Sequence, residues 1–134
     1  MLNRPIPAVF FTEWANGIAS QSTWRGKIVI LDFWATWCDP CLQSIAHNNE
    51  MFHKYKDKGV ILVGACGSGQ DEMTDAAEMY KPEYPIAKVS DNDVQSWNIH
   101  FWPHYAIIDR HGILRAIGIQ PTYVEPIVDL LLQE

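Results

Sequence analysis

A run of apolar residues leads into two closely spaced cysteines, and this feature restricts the fold of the chain most. Residues 28–34 read Ile-Val-Ile-Leu-Asp-Phe-Trp, and Cys38 and Cys41 follow shortly after. A continuous apolar run is typical of a strand buried on both faces, and Pro40 is tolerated in the first turn of a helix. The pattern predicts a strand that leads into a Cys-X-X-Cys pair at the start of a helix, an arrangement that makes thiols reactive.

The remaining apolar periodicity predicts one α/β domain over residues 1–134. Helices are expected at 41–58, 71–80, 91–97 and 122–133, and strands at 8–12, 27–34, 60–65, 86–89, 105–109 and 113–117. Gly59 is expected to end the first helix, and Asp91 to Asp93 to cap a short one. The order of elements indicates a central mixed sheet flanked by helices, with a right-handed crossover and an antiparallel hairpin at one side.

Charge and hydropathy exclude several classes of partner. A net charge of −6 argues against nucleic acid. No stretch approaches the roughly 20 apolar residues of a membrane span, and residues 1–4 lack the features of a signal peptide. We therefore expect a monomer without membrane contact within these residues. The chain is expected either to be cytosolic or to have lost a targeting segment.

Three cysteines do not form a secreted disulfide framework, but a pair could be half of a zinc site. Zinc requires four ligands, and Cys66 has no close partner in the sequence. His47 and His53 are not at standard ligand spacing. The count favours a redox pair with no metal and no cofactor. Cys66 is expected to be a packed, inert thiol, with a regulatory thiol as the alternative.

Residues 27–41, Lys-Ile-Val-Ile-Leu-Asp-Phe-Trp-Ala-Thr-Trp-Cys-Asp-Pro-Cys, closely resemble the active-site segment of the thioredoxin superfamily. The preceding Arg25-Gly26 and the Ala35-Thr36 pair look most like the TlpA/ResA-like branch. The resemblance covers residues 5–133 and implies a thioredoxin-like fold with an N-terminal extension and a central insert at 70–98. It also implies a bacterial, extracytoplasmic or periplasmic protein whose leader has been removed. Such proteins reduce partner cysteines, including those of apocytochrome c in some members.

The dithiol predicts thiol–disulfide exchange with protein partners. Cys38 is expected to be exposed at the helix N-terminus, where backbone N–H groups stabilise its thiolate for attack on a partner disulfide. Cys41, one turn further on, would resolve the mixed disulfide, and an upstream thiol donor would restore the dithiol. Pro40 rigidifies the loop. The charge of Asp39 opposes a low pKa at Cys38, so we expect a reducing pair; a disulfide donor or isomerase is the alternative.

Asp32 is a carboxylate inside an apolar strand, where burial should raise its pKa. The resemblance implies that it relays protons to Cys41, as a general base. The alternative is a structural acid paired with a nearby Lys or Tyr. ResA-like proteins often carry their acid just after the next strand, but Gly69 stands there in this chain. Asp71 and Glu72 are not predicted to replace it.

Trp102 and Pro103 precede a predicted hairpin strand. In the superfamily the matching proline is cis and faces the dithiol, and an ordinary trans turn is the alternative. The backbone of Trp102 would then pair with an extended partner segment. Trp37 is expected to shield the thiolate and to contact the partner. His104 is expected to approach the site, whereas the other histidines should lie on the surface.

Two other functions are weaker alternatives. Peroxiredoxins share the fold, but their nucleophile usually follows a Pro-X-X-X-Thr-X-X-Cys pattern. In this chain Leu31 and Ala35 stand in place of that Pro and Thr. A redox-inactive interaction domain is the other alternative. The intact set of Cys38, Cys41, Asp32 and Pro103 argues against it.

Overall fold

The computed structural model describes residues 1–134 and has a six-stranded sheet at its centre. The strands are β1 Phe11–Ala15, β2 Ile28–Trp34, β3 Val60–Cys66, β4 Ile86–Val89, β5 His104–Ile108 and β6 Leu114–Ile119. The helices are α1 Asp39–Tyr55, α2 Gln70–Tyr80, α3 Asp91–Ser96 and α4 Val124–Leu132. Short 3-10 turns lie at 21–23, 56–58 and 121–123.

The strand order is β1-β4-β3-β2-β5-β6, and the sheet is mixed as predicted. Strands β2, β3 and β4 are parallel, because α1 and α2 carry the chain back between them. Strands β5 and β6 form the predicted antiparallel hairpin at one side. The N-terminal strand β1 pairs antiparallel with β4, so the N-terminal extension and the central insert form one edge of the sheet.

Strand β2 is buried along its whole length because it lies between two apolar layers. Ile28, Ile30 and Trp34 pack in a cluster with residues of α1, α2 and α4. Val29, Leu31 and Phe33 pack on the other face, with Trp24 and Trp97 among their neighbours. This double burial explains why the run appears continuously apolar in the sequence.

The ends of helices α1 and α3 differ in detail from their predicted positions. Helix α1 starts two residues earlier than predicted. It is followed by a 3-10 turn that ends at Gly59, whose φ of 75° is the left-handed conformation expected of a glycine that ends a helix. Helix α3 is capped by Ser90, since its hydroxyl accepts a hydrogen bond from the N–H of Asp93 at 3.1 Å. The prediction that Asp91 to Asp93 form the cap was therefore wrong by one residue; they lie in the first turn.

The first strand is displaced from its predicted position at 8–12. The N–H of Val9 donates to the Gln21 side chain at 3.2 Å, and the N–H of Phe10 donates to Asp93 at 2.9 Å. Because side chains take these two backbone donors, regular pairing with β4 begins only at Phe11. None of the helices combines the length and the apolar character needed to cross a bilayer.

Candidate active site

Cys38 and Cys41 form a disulfide at the N-terminus of α1, with their Cα atoms 5.3 Å apart. Cys38 is the N-cap residue, and its sulfur accepts a hydrogen bond from the backbone N–H of Cys41 at 3.2 Å. Asp39 and Pro40 occupy the first turn and are exposed. The free N–H groups of this turn are therefore placed to stabilise negative charge on the Cys38 sulfur when the bond is reduced.

The expectation that Cys38 is exposed is wrong for this disulfide form. Cys38 is 5% exposed and Cys41 is 1% exposed. The sulfur of Cys38 is bonded inward to that of Cys41, and both residues belong to the apolar cluster beneath α1. Cys38 is still the more accessible member of the pair.

Asp32 lies fully buried in β2, on the face that α1 covers. Burial raises the pKa of its carboxyl from 3.8 to about 7, and the hydrogen bond from Asn48 lowers it in part. The amide of Asn48 donates to Oδ2 at 2.9 Å, whereas Oδ1 has no hydrogen-bond partner. The predicted upward shift is confirmed, and Oδ1 is available to hold a proton.

Asn48 connects Asp32 to two tyrosines by hydrogen bonds, and the sequence did not lead us to predict this residue. The amide oxygen of Asn48 accepts from the hydroxyl of Tyr105 at 2.9 Å, and its NH₂ also reaches the hydroxyl of Tyr84 at 3.3 Å. One signal was available: Asn48 follows Cys41 by seven residues and so lies two turns along the same buried face of α1. The acid is therefore paired with an amide, not with the Lys or Tyr considered above.

The peptide bond between Trp102 and Pro103 is cis, as the resemblance implied. The indole of Trp102 lies edge-on to that of Trp37, with ring centroids 6.3 Å apart and an interplanar angle of 81°. Trp37 is 70% exposed. The two rings form an aromatic surface beside the disulfide loop.

The loop at 67–69 completes this surface. The N–H of Gly67 donates to the carbonyl of Trp34 at 2.8 Å, and the N–H of Thr36 donates to the Ser68 hydroxyl at 3.0 Å. A Cβ atom on Gly67 would lie 2.6 Å from the Trp102 ring. Only glycine therefore lets the indole pack against this loop.

Gly69 stands where ResA-like proteins often carry an acid, and a carboxylate lies next to it. A Cβ atom on Gly69 would lie 2.5 Å from Oε2 of Glu72, which is in the first turn of α2. The side chain of Glu72 therefore folds back over the glycine, although it remains exposed.

Cys66 and His104 lie in the sheet. Cys66 is a free, fully buried thiol, and burial raises its pKa to about 11. His104 pairs with Phe33, so its side chain points to the face opposite α1. The expectation that His104 approaches the dithiol was wrong for this reason. The other histidines are exposed as predicted, namely His47, His53, His100 and His111.

The sequence matches known redox proteins over most of its length. Residues 2–117 match the model of the AhpC/TSA family. The chain is 34% identical over 98 residues to the thiol-disulfide oxidoreductase ResA of Geobacillus kaustophilus, which covers 72% of this chain and 56% of that protein. It is 30% identical over 113 residues to ResA of Bacillus thuringiensis subsp. konkukian, covering 83% and 65%. The chain thus spans about three fifths of the length of these relatives.

Solved structures agree with the expected fold. A candidate thiol:disulfide interchange protein, DsbE, from Chlorobium tepidum superposes with a TM-score of 0.86 at 26% identity, covering 98% of this chain and 99% of that one. The thioredoxin domain of a thiol-disulfide oxidoreductase from Bacteroides vulgatus has the same TM-score at 20% identity, covering 98% of each chain. The predicted thioredoxin-like fold and the resemblance to ResA-like proteins are confirmed.

Proposed function

We propose that this chain, which belongs to the AhpC/TSA family, is a thiol–disulfide oxidoreductase that exchanges its Cys38–Cys41 pair with cysteines of partner proteins. The observation that carries the proposal is the disulfide itself, formed at a helix N-terminus where the N–H of Cys41 donates to the Cys38 sulfur. The pair lies beside an exposed aromatic surface and above a buried acid. The names of the ResA relatives support the same activity.

The reaction begins from the reduced pair. The Cys38 thiolate attacks one sulfur of a partner disulfide and forms a mixed disulfide, while the other partner sulfur leaves as a thiolate and takes a proton. The helix N-terminus favours the attacking thiolate over the neutral thiol. In this proposal the paired rings of Trp37 and Trp102 contact the partner, and the backbone next to the cis Pro103 pairs with an extended segment of it.

The second step requires a proton acceptor for Cys41. The Cys41 thiol loses its proton, attacks the Cys38 sulfur and releases the partner as a dithiol, which leaves the Cys38–Cys41 disulfide present in this structure. Asp32 takes the proton, directly or through a relay, because its raised pKa lies near neutrality and its Oδ1 is unpartnered. Asn48 holds the carboxyl in place.

We expect the reducing direction because Asp39 lies beside Cys38 in the first turn of α1. Its negative charge opposes the thiolate and so weakens the oxidising power of the disulfide. An upstream thiol donor would then return two electrons and two protons to the pair. The missing Pro and Thr before Cys38 continue to favour this exchange over peroxidase chemistry.

Several wider properties belong to the same proposal. Residues 1–134 are a single domain that acts as a monomer on protein substrates. We infer from the resemblance to ResA-like proteins that it acts outside the cytoplasm, on the periplasmic or equivalent side of a bacterial membrane.

A trapping experiment tests the exchange. The Cys41→Ser variant, once reduced, should attack a disulfide-containing protein and remain joined to it, because no thiol is left to resolve the mixed disulfide. The matched Cys38→Ser variant should give no adduct, since Cys41 is the more deeply buried thiol. Non-reducing gel electrophoresis followed by mass spectrometry reads the result. Equal adducts from both variants, or none from either, would refute the assigned roles.

A further inference from the structure

A cavity of about 430 Å³ lies at the end of the sheet opposite the disulfide. It is bounded by the 3-10 turn at 21–23 and by the β5–β6 hairpin turn, and its walls include Gln21, Trp24, Arg25, Arg110 and His111. The disulfide follows the end of β2, whereas this cavity lies beside the start of that strand. Seven strand residues separate the two sites by roughly 20 Å. The redox chemistry proposed above does not use this cavity.

The backbone brings the two arginines of the cavity together. The N–H of Gly26 donates to the carbonyl of Arg110 at 3.1 Å, so the turns that carry Arg25 and Arg110 are neighbours. Neither guanidinium forms an ion pair with a carboxylate. One nitrogen of Arg110, Nη1, donates to the main-chain oxygens of Leu131 at 3.2 Å and Glu134 at 3.5 Å. These bonds orient a half-buried guanidinium whose Nε and Nη2 donors stay free.

The two acids next to the cavity, Asp109 and Glu134, are bound by another arginine. Asp109 accepts hydrogen bonds from the N–H of His111 at 2.9 Å and from Arg115 at 3.1 Å. Glu134 is bound by the same Arg115 at 2.9 Å. Arg115 engages both carboxylates, so neither of them forms an ion pair with Arg25 or Arg110.

This end of the molecule carries more basic than acidic side chains, although the chain has a net charge of −6. Its acids include Asp57, Asp109 and Glu134. The start of β2 follows Lys27, the N–H of Ile28 donates to Gly59 beside Lys58, and the N–H of Leu114 donates to the carbonyl of Arg4. Basic residues without a carboxylate partner gather here, namely Arg4, Arg25, Lys27, Lys56, Lys58 and Arg110. The disulfide end instead is mainly acidic, with Asp39, Asp71, Glu72 and Asp91 against the single base Lys88 of β4. This separation raises the local concentration of anions at the cavity.

We propose that this cavity is a binding site for a phosphate-bearing group, held by the guanidinium groups of Arg25 and Arg110. Guanidinium presents paired donors that match phosphate oxygens, and two such groups on adjacent turns suit a tetrahedral, multiply charged anion better than a single carboxylate. The Oε1 atom of Gln21 accepts from Val9, so its NH₂ group remains free to donate to a further oxygen. Trp24, whose N–H is bonded to the carbonyl of Ala19, forms an apolar wall.

The test uses the oxidised full chain and two probes. Inorganic phosphate, titrated into isotope-labelled protein, should shift the amide resonances of Gly26, Arg110 and His111 and the indole resonance of Trp24. Vesicles of phosphatidylcholine, with and without phosphatidylglycerol, should separate the two sources of phosphate in a sedimentation assay. Binding of phosphate in solution assigns the site to a free ligand, whereas retention only by vesicles that contain phosphatidylglycerol assigns it to a lipid headgroup.

Charge-removing variants decide whether the cavity is responsible. Arg25→Gln removes an exposed side chain without hydrogen bonds and should lower the affinity about ten-fold or more, and Arg110→Gln should do the same. Lys88→Gln removes one charge at the disulfide end and should leave the affinity unchanged. The proposal is overturned if neither probe binds, or if Arg25→Gln and Lys88→Gln weaken binding equally. Disulfide exchange by Arg25→Gln should be unaltered. A failure of the phosphate-binding test therefore leaves the proposed oxidoreductase function standing, and the reverse also holds.

Discussion

At the scale of single residues, Asp32 is the side chain whose chemistry depends most on its surroundings. Its carboxyl sits in an apolar layer, receives one hydrogen bond from Asn48, and has a pKa raised to about 7 by burial. The acid therefore changes charge near neutral pH, where an ordinary aspartate is already ionised. A group tuned in this way is suited to proton transfer, but it also makes stability depend on pH.

Asp32→Asn should stabilise the protein at neutral and higher pH. Between about pH 4 and pH 7 the unfolded chain has released this proton and the folded chain has not, so the folded state loses about 1.4 kcal/mol per pH unit as pH rises. Asparagine keeps an acceptor for Asn48 and carries no charge. Urea unfolding of both proteins across this range should give a stability difference that grows with pH and levels off above about pH 7. A difference that does not depend on pH would contradict the raised pKa.

The same variant separates a proton relay from a structural acid. If Asp32 accepts the proton of Cys41, Asp32→Asn should accumulate mixed disulfide, because the second step slows while the first is unchanged. Quenched-flow analysis of the mixed disulfide at neutral pH measures both steps. Asn48→Ala serves as the comparison, because it removes the hydrogen bond that lowers the pKa of Asp32 but keeps the carboxyl. An unchanged second step in Asp32→Asn would leave the acid with a structural role only.

At the scale of elements, the N-terminus of α1 and the loops beside it build the reactive surface. Helix α1 supplies N–H groups to Cys38, and β3 ends in a loop that packs under Trp102. The cis peptide bond before Pro103 lies at the start of β5. Three elements distant in sequence therefore meet at the carboxyl ends of β2 and β3 and the amino end of the antiparallel β5. Substitutions in these elements can alter the potential of the pair and the contact with partners separately.

Asp39→Asn should make the disulfide more oxidising. Removing the negative charge in the first turn stabilises the Cys38 thiolate, so the pKa of that thiol falls and the reduced form is favoured. The measurement is the Cys38 pKa in the reduced protein, from the absorbance of the thiolate against pH, together with the reduction potential. Asp57→Asn, at the far end of α1, is the matched control and should change neither value. A Cys38 pKa that is the same in Asp39→Asn as in the unsubstituted protein would remove the electrostatic argument.

Gly67→Ala should weaken the reaction with protein partners and leave the potential unaltered. The added methyl group would lie 2.6 Å from the ring of Trp102, so the indole must move away from the loop. Displacement of a contact surface beside the reacting sulfur should slow partner reduction about ten-fold or more. The rate with a disulfide protein measures the effect, with a small disulfide as the comparison.

A double variant, Gly67→Ala with Trp102→Ala, identifies the cause of the slower reaction with partners. In a Trp102→Ala background the methyl group of Gly67→Ala has no indole to displace, so it should have no further effect on the rate. Additive losses in the double variant would show that the glycine acts through the backbone of the loop instead.

At the scale of the whole molecule, elements with strong local signals could be predicted. Strand β2 and helix α1 were predictable because a continuous apolar run precedes Pro40 and apolar residues at helical spacing follow it. Strand β1 was misplaced, because Gln21 and Asp93 take the backbone donors of residues 9 and 10 through contacts distant in sequence. The site was predictable where a motif carried it, at Cys38 and Cys41.

The surroundings of the motif were less accessible to sequence reasoning. Asn48 reaches Asp32 and Tyr105 only once β2, α1 and β5 have assembled, and no local pattern marks such a network. The side chain of His104 points to the sheet face opposite α1 because His104 pairs with Phe33. A one-residue change of register would turn it to the face that α1 covers. The excess of basic residues at one end depends in the same way on topology, which places residues from separate loops at that end of the sheet.

The reduction potential of the Cys38–Cys41 pair is the measurement that best decides whether this chain works as a disulfide reductase. The protein would be equilibrated with thiol buffers of known potential, and tryptophan fluorescence would report the redox state, since Trp37 and Trp102 lie beside the disulfide loop. We predict a value near or below roughly −250 mV, towards the thioredoxin end of the scale, as expected of a reductase supplied by an upstream thiol donor. A value near roughly −120 mV would contradict the reducing direction and the role given to Asp39. Failure to form any Cys38–Cys41 disulfide would contradict the redox function itself.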